Sequence, residues 1–463
     1  MRISPIESLR RFGGTRLGGP LLVSGGVFVG FAALAWGSFQ FVDAGSGLVA
    51  IRPPNGLVVG LFVLVPARLR PWVLLGLLPG ELLADTIHGY PVWVALCFGV
   101  VDMVESGLAG VILLKIARRR PRGDRRRDFY ALLVAALAAP FVSGFAGTAI
   151  SLAHWGGALG STFLTWWLGD ATGILLVGAL AVSLYHRGPT VSRIRRVSAV
   201  GEVALVVVIT ALVFGVMTLP LTYVVLAPLT AVALRHGLRA VAAACMCFAL
   251  VATFLTALGR GPFTDFGSST NRVVLLGGFI VVTAFIAFLI AATMAEQRHD
   301  RKMLVELATH DQLTGLPNRR LFVEELERAE ARRTRIGQMA AVVYLDLDGF
   351  KEINDHLGHE GGDRLLVEVG SRLASWMREG DFVARIGGDE FAAILQPVTS
   401  FEGATAAARR LADLLEHSVN PADLAVKVSF GVALLTADNN RDMRDADADM
   451  YSRKNDRAAR ARV

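Results

Sequence analysis

Long apolar runs with few charged residues fill the first 298 residues of this chain. An apolar helix of about 20 residues is long enough to cross the hydrocarbon core of a bilayer. The pattern therefore predicts a multi-pass α-helical membrane domain. Ten spans are predicted, near residues 20–42, 48–66, 72–88, 91–116, 129–153, 161–185, 200–217, 220–234, 239–258 and 272–294.

Basic residues cluster at alternate ends of these spans. The intervening loops, such as 43–47 and 154–160, nearly lack Lys and Arg. Because Lys and Arg are enriched in cytoplasmic loops, this alternation places both termini in the cytoplasm and requires an even number of spans. The formal net charge of +7 thus reflects membrane topology, and no nucleic-acid partner is expected. The basic clusters lie near residues 2–16, 68–70, 118–127, 187–196, 235–239 and 298–302.

The composition changes after residue 298, where Asp, Glu, Arg and Lys become frequent. We therefore predict a cytoplasmic N-terminal segment over 1–19, a membrane domain over 20–294 and a water-soluble domain over 311–463. The stretch 295–310 contains no Pro or Gly, so the last span can continue through it as a stiff linker helix.

Acidic residues inside the predicted spans are unusual, because a charge at membrane depth is costly and needs a partner or a cavity. Asp102 and Glu105 are three residues apart and share one helix face. Two interpretations stay open for this set, a ligand or proton site and a set of structural pairs with Arg. Its members are Glu81, Asp85, Asp102, Glu105 and Asp170.

The C-terminal part alternates strand and helix patterns. A helix is predicted after the N-cap Asn318, over 319–333. A buried strand follows at 340–348, and residues 349–354 are predicted to form a turn that can approach phosphates. The resulting βαββαβ order is typical of an α+β, ferredoxin-like domain. Its later elements are a helix at 362–378, strands at 381–386 and 391–396, a helix at 402–417 and a strand at 424–434.

The sequence Gly387-Gly-Asp-Glu-Phe391 joins two of these strands. Its glycines permit a tight reversal, because they tolerate positive φ. Alone, such a turn is most often an ordinary surface hairpin. In this fold, however, the end of the first strand can lie beside the tip, so that Asp346 meets Asp389 and Glu390. Three such carboxylates suit two Mg²⁺ ions at about 3.5–4 Å, the arrangement used for displacement at phosphorus.

Five motifs follow one another in the C-terminal part: Asp311-Gln-Leu-Thr-Gly-Leu-Pro-Asn-Arg-Arg320, the string from Asp346 to Asp363, Arg385-Ile-Gly-Gly-Asp-Glu-Phe391, Val428-Ser-Phe-Gly-Val-Ala433 and Asp447-Ala-Asp-Met-Tyr451. They are similar to the motifs of GGDEF diguanylate cyclases, which have a palm-like fold shared with nucleotide cyclases and polymerases. The resemblance covers residues 308–456.

This resemblance implies the condensation of two GTP into cyclic di-GMP and two pyrophosphates. Each domain binds one GTP, so a homodimer is required. Glu390 would also help to activate the attacking 3′-hydroxyl, and Arg385 would stabilise charge. Two Mg²⁺ ions per site are implied, with Mn²⁺ as a substitute. The implied metal-binding residues are Asp346, Leu347, Asp389 and Glu390; Asn354 and Asp363 would bind guanine, and Lys351 and Lys454 would bind phosphates.

Two further positions bear on regulation and rate. Arg378-Glu-Gly-Asp381 has the spacing that in the family marks an inhibitory site for cyclic di-GMP. The segment after Lys454 departs from the family, since Ala458 stands where a phosphate-binding Arg is usual. Arg457 or Arg460 can replace it, or triphosphate affinity is reduced.

Four short motifs lie in order along the membrane half: Ile51-Arg-Pro-Pro-Asn-Gly56, Trp167-Leu-Gly-Asp170 with Gly173, Leu234-Arg-His-Gly-Leu-Arg239 and Gly259-Arg-Gly-Pro-Phe263. Together they resemble the first class of bacterial membrane-associated sensor domains, over residues 15–295. This resemblance implies an input module in the inner membrane with a cytoplasmic catalytic domain, and a transporter is the alternative for this half. For the whole chain, the alternative to an active cyclase is an inactive receptor for GTP or cyclic di-GMP.

Overall fold

The structure is a computed structural model of the 463-residue chain. It forms two compact units, Met1–His299 and Asp300–Val463, which are described separately. The residues that the structure describes are 18–39, 51–118, 121, 126–185, 193–217, 221–264, 266, 268–418, 426–436 and 439–460.

The first unit is helical, as predicted. Among the residues that the structure describes, seven helices are long and apolar enough to cross a membrane, judged by length and composition. The helices of the described residues are α1 (Gly18–Phe39), α2 (Pro53–Leu64), α3 (Arg70–Ile87), α4 (Val92–Ala117), α5 (Arg126–Trp155), α6 (Leu159–Tyr185), α7 (Arg193–Gly215), α8 (Leu226–Arg235), α9 (Leu238–Ala257) and α10 (Ser269–Thr309).

Three of the ten predicted spans are helices that do not meet this criterion. Helices α2 and α8 have 12 and 10 residues, and at 1.5 Å per residue both are shorter than the bilayer core. Helix α3 contains Glu81 and Asp85. The even number of spans therefore stays a prediction.

Helices α2 and α6 cross so closely that only glycine fits at their contact. A Cβ atom on Gly56 would overlap the carbonyl oxygen of Gly173, and one on Gly173 would overlap that of Arg52. The Arg52 amide also donates a hydrogen bond to the carbonyl oxygen of Gly169, at 3.1 Å. Two motifs far apart in the sequence thus meet at one crossing.

The second unit contains a four-stranded antiparallel sheet with the strand order β2-β3-β1-β4. This order is that of the predicted ferredoxin-like fold. The elements are α11 (Arg319–Ile336), β1 (Met339–Asp348), α12 (Phe350–Leu357), α13 (His359–Trp376), β2 (Phe382–Gly387), β3 (Glu390–Val398), α14 (Phe401–Ser418), β4 (Lys427–Leu434) and α15 (Asn439–Arg460).

Helices cover both faces of this sheet. Because side chains alternate along a strand, Val343 and Leu345 of β1 pack in one core with α13 and α14. Val342 and Tyr344 pack in the other core, with α11 and α15. The next residue of this second face is Asp346, which therefore lies on the side of the sheet that α15 covers.

One local prediction is wrong. Residues 349–354 were expected to form a turn, but only Gly349 has a turn conformation, with φ of +73°, and helix α12 begins at Phe350. The helix is stabilised by its amphipathic sequence, which buries Ile353. Gly349 thus serves as the N-cap of a helix.

Candidate active site

Asp346 and Glu390 are direct neighbours across two antiparallel strands. Their Cα atoms are partners in the register of β1 and β3, and directly opposed residues have Cβ atoms about 4.5–5.5 Å apart. Asp346 is 7% exposed, whereas Glu390 is half-buried. Two acids that lie 44 positions apart in the sequence are thus held together by the backbone of a sheet.

The hairpin tip brings Asp389 to the same end of the sheet. Gly387 pairs with Glu390, which leaves a two-residue loop of Gly388 and Asp389. Gly388 has φ of +52°, while Gly387 does not have positive φ, so only one of the two glycines is needed for this conformation. The Leu347 amide donates a hydrogen bond to the Asp389 carbonyl oxygen at 3.3 Å, which fastens the tip to β1.

Lys454 reaches this site from α15. Its Nζ lies 2.5 Å from Asp346 Oδ1 and 3.8 Å from Asp348 Oδ1. Helix α15 can approach the sheet because β4 carries Gly431, where a Cβ would overlap the carbonyl oxygen of Ala446 in α15. Gly431 therefore allows α15 to pack close to β4, and this packing places the Lys454 ammonium group beside Asp346.

The acids at this site repel one another. Partial burial is the largest cause that raises the pKa of Asp389 and of Glu390, and the negative charge of Asp346 raises both further. Burial is the largest single effect on Lys454 and lowers its pKa, but the hydrogen bond with Asp346 and the negative charges of Asp346, Asp348 and Asp389 together outweigh it, so the net pKa is raised. The electrostatics therefore favour a cation here.

The donors are chemically suited to a hard divalent cation, which prefers carboxylate and carbonyl oxygens. Asp346, Asp389 and Glu390 supply carboxylates, and Leu347 could supply its backbone oxygen. The predicted convergence is only partial. Among the residues that the structure describes, these three acids do not form a group with oxygens within 4.8 Å of one another. Instead, the Lys454 ammonium group pairs with Asp346 and offsets part of the negative charge of the site.

In the described part of the chain, Arg385 forms no hydrogen bond or ion pair with the three acids. Its Nε and Nη2 donate to the Gly388 carbonyl oxygen at 3.0 and 2.7 Å, and its Nη1 donates to Asp311 Oδ1 at 2.9 Å. Asp311 also accepts hydrogen bonds from the Thr314 amide and hydroxyl. Arg385 therefore links the hairpin tip to the segment that precedes α11.

Asp311 is a positioning residue that our sequence reasoning did not single out. The signal was present, since Asp311 opens the motif Asp311-Gln-Leu-Thr-Gly315. Burial raises the pKa of Asp311, but the hydrogen bonds from Thr314 and Arg385 outweigh it, so the net pKa is lowered. Such a group stabilises the folded state above its unfolded pKa, and this stabilisation is lost as the pH falls through its folded pKa.

We therefore expect Asp311→Asn to lower the melting temperature of the second unit at pH 7. The difference from wild type should shrink once the pH is below about 4, where an ordinary Asp is protonated. Thermal unfolding measured over a pH series checks this. The control is Asp300→Asn, because Asp300 is exposed. A difference that is the same at pH 7 and pH 3 would contradict the electrostatic origin.

The proposed guanine-binding residues lie next to each other. Asn354 on α12 faces α13 so closely that a Cβ at Gly362 would overlap its Oδ1. Asp363 follows Gly362 and is exposed, as is Lys351. An amide and a carboxylate at this surface are thus available to a ligand.

Arg378 and Asp381 lie before β2. The Arg378 side chain is exposed, whereas Asp381 accepts hydrogen bonds from the amides of Arg378 and Gln396, at 3.2 and 3.0 Å. Asp381 thus shapes the loop in addition to any binding role. It also lines a cleft of about 480 Å³ together with Arg332 and Glu379.

The departure from the family after Lys454 concerns three residues near the end of the chain. The side chains of Arg457, Ala458 and Arg460 lie outside the described residues. Lys454 itself is described, and its position beside Asp346 shows that it can reach the candidate metal site.

Two family models match the chain. One, described as the diguanylate cyclase GGDEF domain, covers residues 308–460. The other, MASE1, covers residues 21–298 and therefore more than half of the chain. The chain belongs to the MASE1 family. MASE1 is a membrane-associated sensor domain, so together with the apolar helices this makes the chain an integral membrane protein with a C-terminal GGDEF domain.

Relatives of this MASE1–GGDEF protein include two from Pseudomonas aeruginosa. The bifunctional diguanylate cyclase/cyclic di-GMP phosphodiesterase MucR is 33% identical over 251 residues, which are 48% of this chain and 37% of MucR. The diguanylate cyclase TpbB is 36% identical over 166 residues, which are 35% of this chain and 38% of TpbB. The chain thus spans well under half the length of these curated relatives.

A solved structure also matches the GGDEF part. The coiled coil and GGDEF domain of DgcB from Caulobacter crescentus, in complex with c-di-GMP, is 31% identical. The match covers 35% of this chain and 90% of that chain, with a TM-score of 0.33.

Proposed function

We propose that this protein is a membrane-bound diguanylate cyclase. The 3′-oxygen of one GTP attacks the α-phosphorus of a second GTP, a new P–O bond forms, and the bond to the β-phosphate oxygen breaks to release pyrophosphate. The same displacement in the opposite direction closes the ring of cyclic di-GMP and releases the second pyrophosphate. The register that pairs Asp346 with Glu390, beside the hairpin tip, is the observation that carries this proposal.

The chain's own acids would prepare the nucleophile. Glu390 is half-buried and its pKa is raised by burial and by the charges of Asp346, Asp447 and Asp389. A raised pKa makes a carboxylate a better proton acceptor near neutral pH. Glu390 would therefore take the proton of the 3′-hydroxyl as the new bond forms.

Divalent cations would be held by Asp346, Asp389, Glu390 and the Leu347 carbonyl oxygen, two per site. When bound, Mg²⁺ or Mn²⁺ supplies charge stabilisation to the phosphoryl oxygens. Lys454, now on Asp346, would move its ammonium group to the phosphates of GTP. Lys351 would bind phosphates from the exposed surface of α12.

Guanine would be bound by Asn354 and Asp363. A carboxylate accepts hydrogen bonds from the N1–H and the amino group of guanine, an arrangement that adenine cannot supply. Arg385 would act mainly by holding the Gly388 carbonyl, since its donors are already used there and on Asp311.

Each GGDEF domain would contribute one GTP, so the active form is a homodimer in which two sites face each other. The MASE1 unit would control this encounter as a sensor in the bacterial inner membrane, with the GGDEF domain in the cytoplasm. The basic clusters at alternate span ends support this orientation.

Detergent-solubilised protein incubated with GTP and Mg²⁺ should form cyclic di-GMP and two equivalents of pyrophosphate, detected by chromatography and a phosphate-release assay. Chelation with EDTA should abolish both products. Cyclisation of ATP instead of GTP would contradict the assigned guanine contacts. Binding of GTP without product, under conditions in which the protein is dimeric, would replace the cyclase by the receptor alternative.

Product inhibition is expected at Arg378 and Asp381. Arg378 is exposed and free to bind the guanine and phosphate of cyclic di-GMP, so Arg378→Ala should relieve inhibition at high product while the initial rate stays close to wild type. Progress curves with added cyclic di-GMP measure this. Arg372→Ala, on the exposed surface of α13, is the matched control. Equal inhibition in Arg378→Ala and wild type would remove the inhibitory site from the proposal.

A further inference from the structure

A second polar cluster lies inside the MASE1 unit, apart from the cyclase site. The carboxylates of Asp102, Glu105 and Asp170 each offer an oxygen within 4.8 Å of the others. All three residues are at most 1% exposed. Among the residues that the structure describes, this is the group of three acids whose geometry suits one metal ion.

The close crossing of α2 and α6 builds this cluster. It places Asn55 of α2 beside Glu105 of α4 and Asp170 of α6, and Asn55 Nδ2 donates to both at 3.0 and 3.2 Å. Ser143 of α5 donates a short hydrogen bond to the other oxygen of Glu105. Four helices thus contribute to one buried site, which keeps its oxygens in a defined arrangement.

Positive charge is scarce around these acids. The ion pairs found at the cluster all come from Arg52, which lies 3.3 Å from Asp170, 3.7 Å from Asp102 and 3.5 Å from Glu81. One guanidinium therefore serves three carboxylates, and Glu105 receives only neutral donors. Buried acids with so little compensation are costly.

One oxygen of the cluster lacks a hydrogen bond of normal geometry. Asp102 uses Oδ2 toward Arg52, and its Oδ1 is fully buried without such a bond in the described structure. The Asn55 amide lies near this carboxylate, but it already donates to Glu105 and Asp170. A buried acceptor of this kind is expensive unless a ligand satisfies it. Asp102 is one of the three acids whose oxygens converge. A ligand that satisfied its Oδ1 would therefore lie within this cluster.

The donor chemistry identifies the class of ligand. All three converging groups are hard oxygen donors, and no thiol or imidazole is among them. Three oxygens within 4.8 Å of one another can all lie within about 2.8 Å of a common point, so small side-chain shifts would bring them to the 2.0–2.6 Å that Mg²⁺, Mn²⁺ and Ca²⁺ require. We propose that Asp102, Glu105 and Asp170 bind one hard divalent cation, which makes the MASE1 unit a cation site.

We expect a cation to enter this site beside Arg52. Its side chain is 23% exposed, unlike the acids, and its guanidinium stacks over Trp166 at 4.1 Å from the ring centroid. A cation that reaches the cluster would displace the guanidinium from Asp102 and Asp170. The displaced guanidinium can stay stacked on the Trp166 ring.

The test uses the full chain in nanodiscs, with Asp346→Asn and Asp389→Asn to remove metal binding at the GGDEF site. Titration with Mn²⁺ alone, followed by the electron paramagnetic resonance signal of the free ion, should show one saturable site per chain. Mg²⁺ or Ca²⁺ should compete. Adding Asp102→Asn should weaken Mn²⁺ binding by about 100-fold or more, because it replaces a charged carboxylate ligand by a neutral amide.

Glu202→Gln is the matched control, since Glu202 is an acid of the same unit that pairs with Arg235 outside the cluster. It should bind Mn²⁺ like the parent. If Asp102→Asn does not fold, Glu105→Asp decides, because it keeps the charge and displaces one ligand oxygen. Absence of saturable binding in the parent, or unchanged binding in these cluster variants, overturns the proposal.

Discussion

Glu390→Gln is expected to lower the rate of cyclic di-GMP formation by about 10²–10⁴-fold, the range for loss of a general base. Gln has the same size, so the β1–β3 pairing at Asp346 should be kept. It cannot accept the 3′-hydroxyl proton, and it offers a metal only a neutral oxygen. The variant should still bind GTP, because the residues on α12 and α13 that are proposed to bind guanine are untouched.

The measurement is product formation under saturating GTP and Mg²⁺, together with GTP binding by calorimetry. Glu327→Gln is the matched control, since Glu327 is exposed on α11 and its loss should leave the rate unchanged. A Glu390→Gln variant with the wild-type rate would falsify the proposed role of this residue. Equal loss of GTP binding and of rate would indicate misfolding instead of lost chemistry.

Gly431→Ala should be the most disruptive single-methyl change in the GGDEF unit. The added Cβ would overlap the backbone of Ala446 and Met450 in α15, and both residues are buried against the sheet. Backbone cannot rotate away as a side chain can, so α15 must shift. We expect a loss of about 3 kcal/mol in local stability, at the upper end for overpacking.

Hydrogen exchange of the full chain measures this loss. Amides of α15 should exchange roughly 100-fold faster, since each 1.4 kcal/mol is a factor of ten in an equilibrium constant. Cyclase activity should fall as well, because Lys454 lies on the displaced helix.

Gly403→Ala in α14 is the control. There the nearest atoms belong to the Thr399 and Ser400 side chains, and Ala is favoured over Gly in a helix by about 0.5–1 kcal/mol. Unchanged exchange in Gly431→Ala would show that β4 and α15 can separate without cost.

Much of the fold was predictable because its signals are local. Helix α11 begins after Asn318, whose side chain accepts a hydrogen bond from the Leu321 amide as an N-cap should. Strand β1 is buried along nearly its whole length, which matches its apolar run. The segment 349–354 was mispredicted, because the helix that begins there has only eight residues. Hydrophobic periodicity of a helix is recognised over a longer window.

The candidate site was predictable in its residues but less so in its contacts. The family strings point to Asp346, Asp389 and Glu390, and the register places two of them opposite each other. The pairing of Lys454 with Asp346 and the use of Arg385 at the hairpin tip could not be read from the strings. Both depend on how α15 and the segment before α11 pack on the sheet.

The sequence by itself determined the division into an apolar helical half and a charged α+β half, the order of the elements and the acids at the strand ends. These follow from hydrophobic periodicity and from turn and cap residues, which act over a few positions. Only the tertiary structure decided which distant side chains meet. Lys454 lies 108 positions from Asp346 and Asp311 lies 74 from Arg385, and Asp102, Glu105 and Asp170 converge from two helices. Such contacts are decided by close packing, as at Gly431 and at Gly56 with Gly173, because there the absence of one methyl group lets two backbones touch.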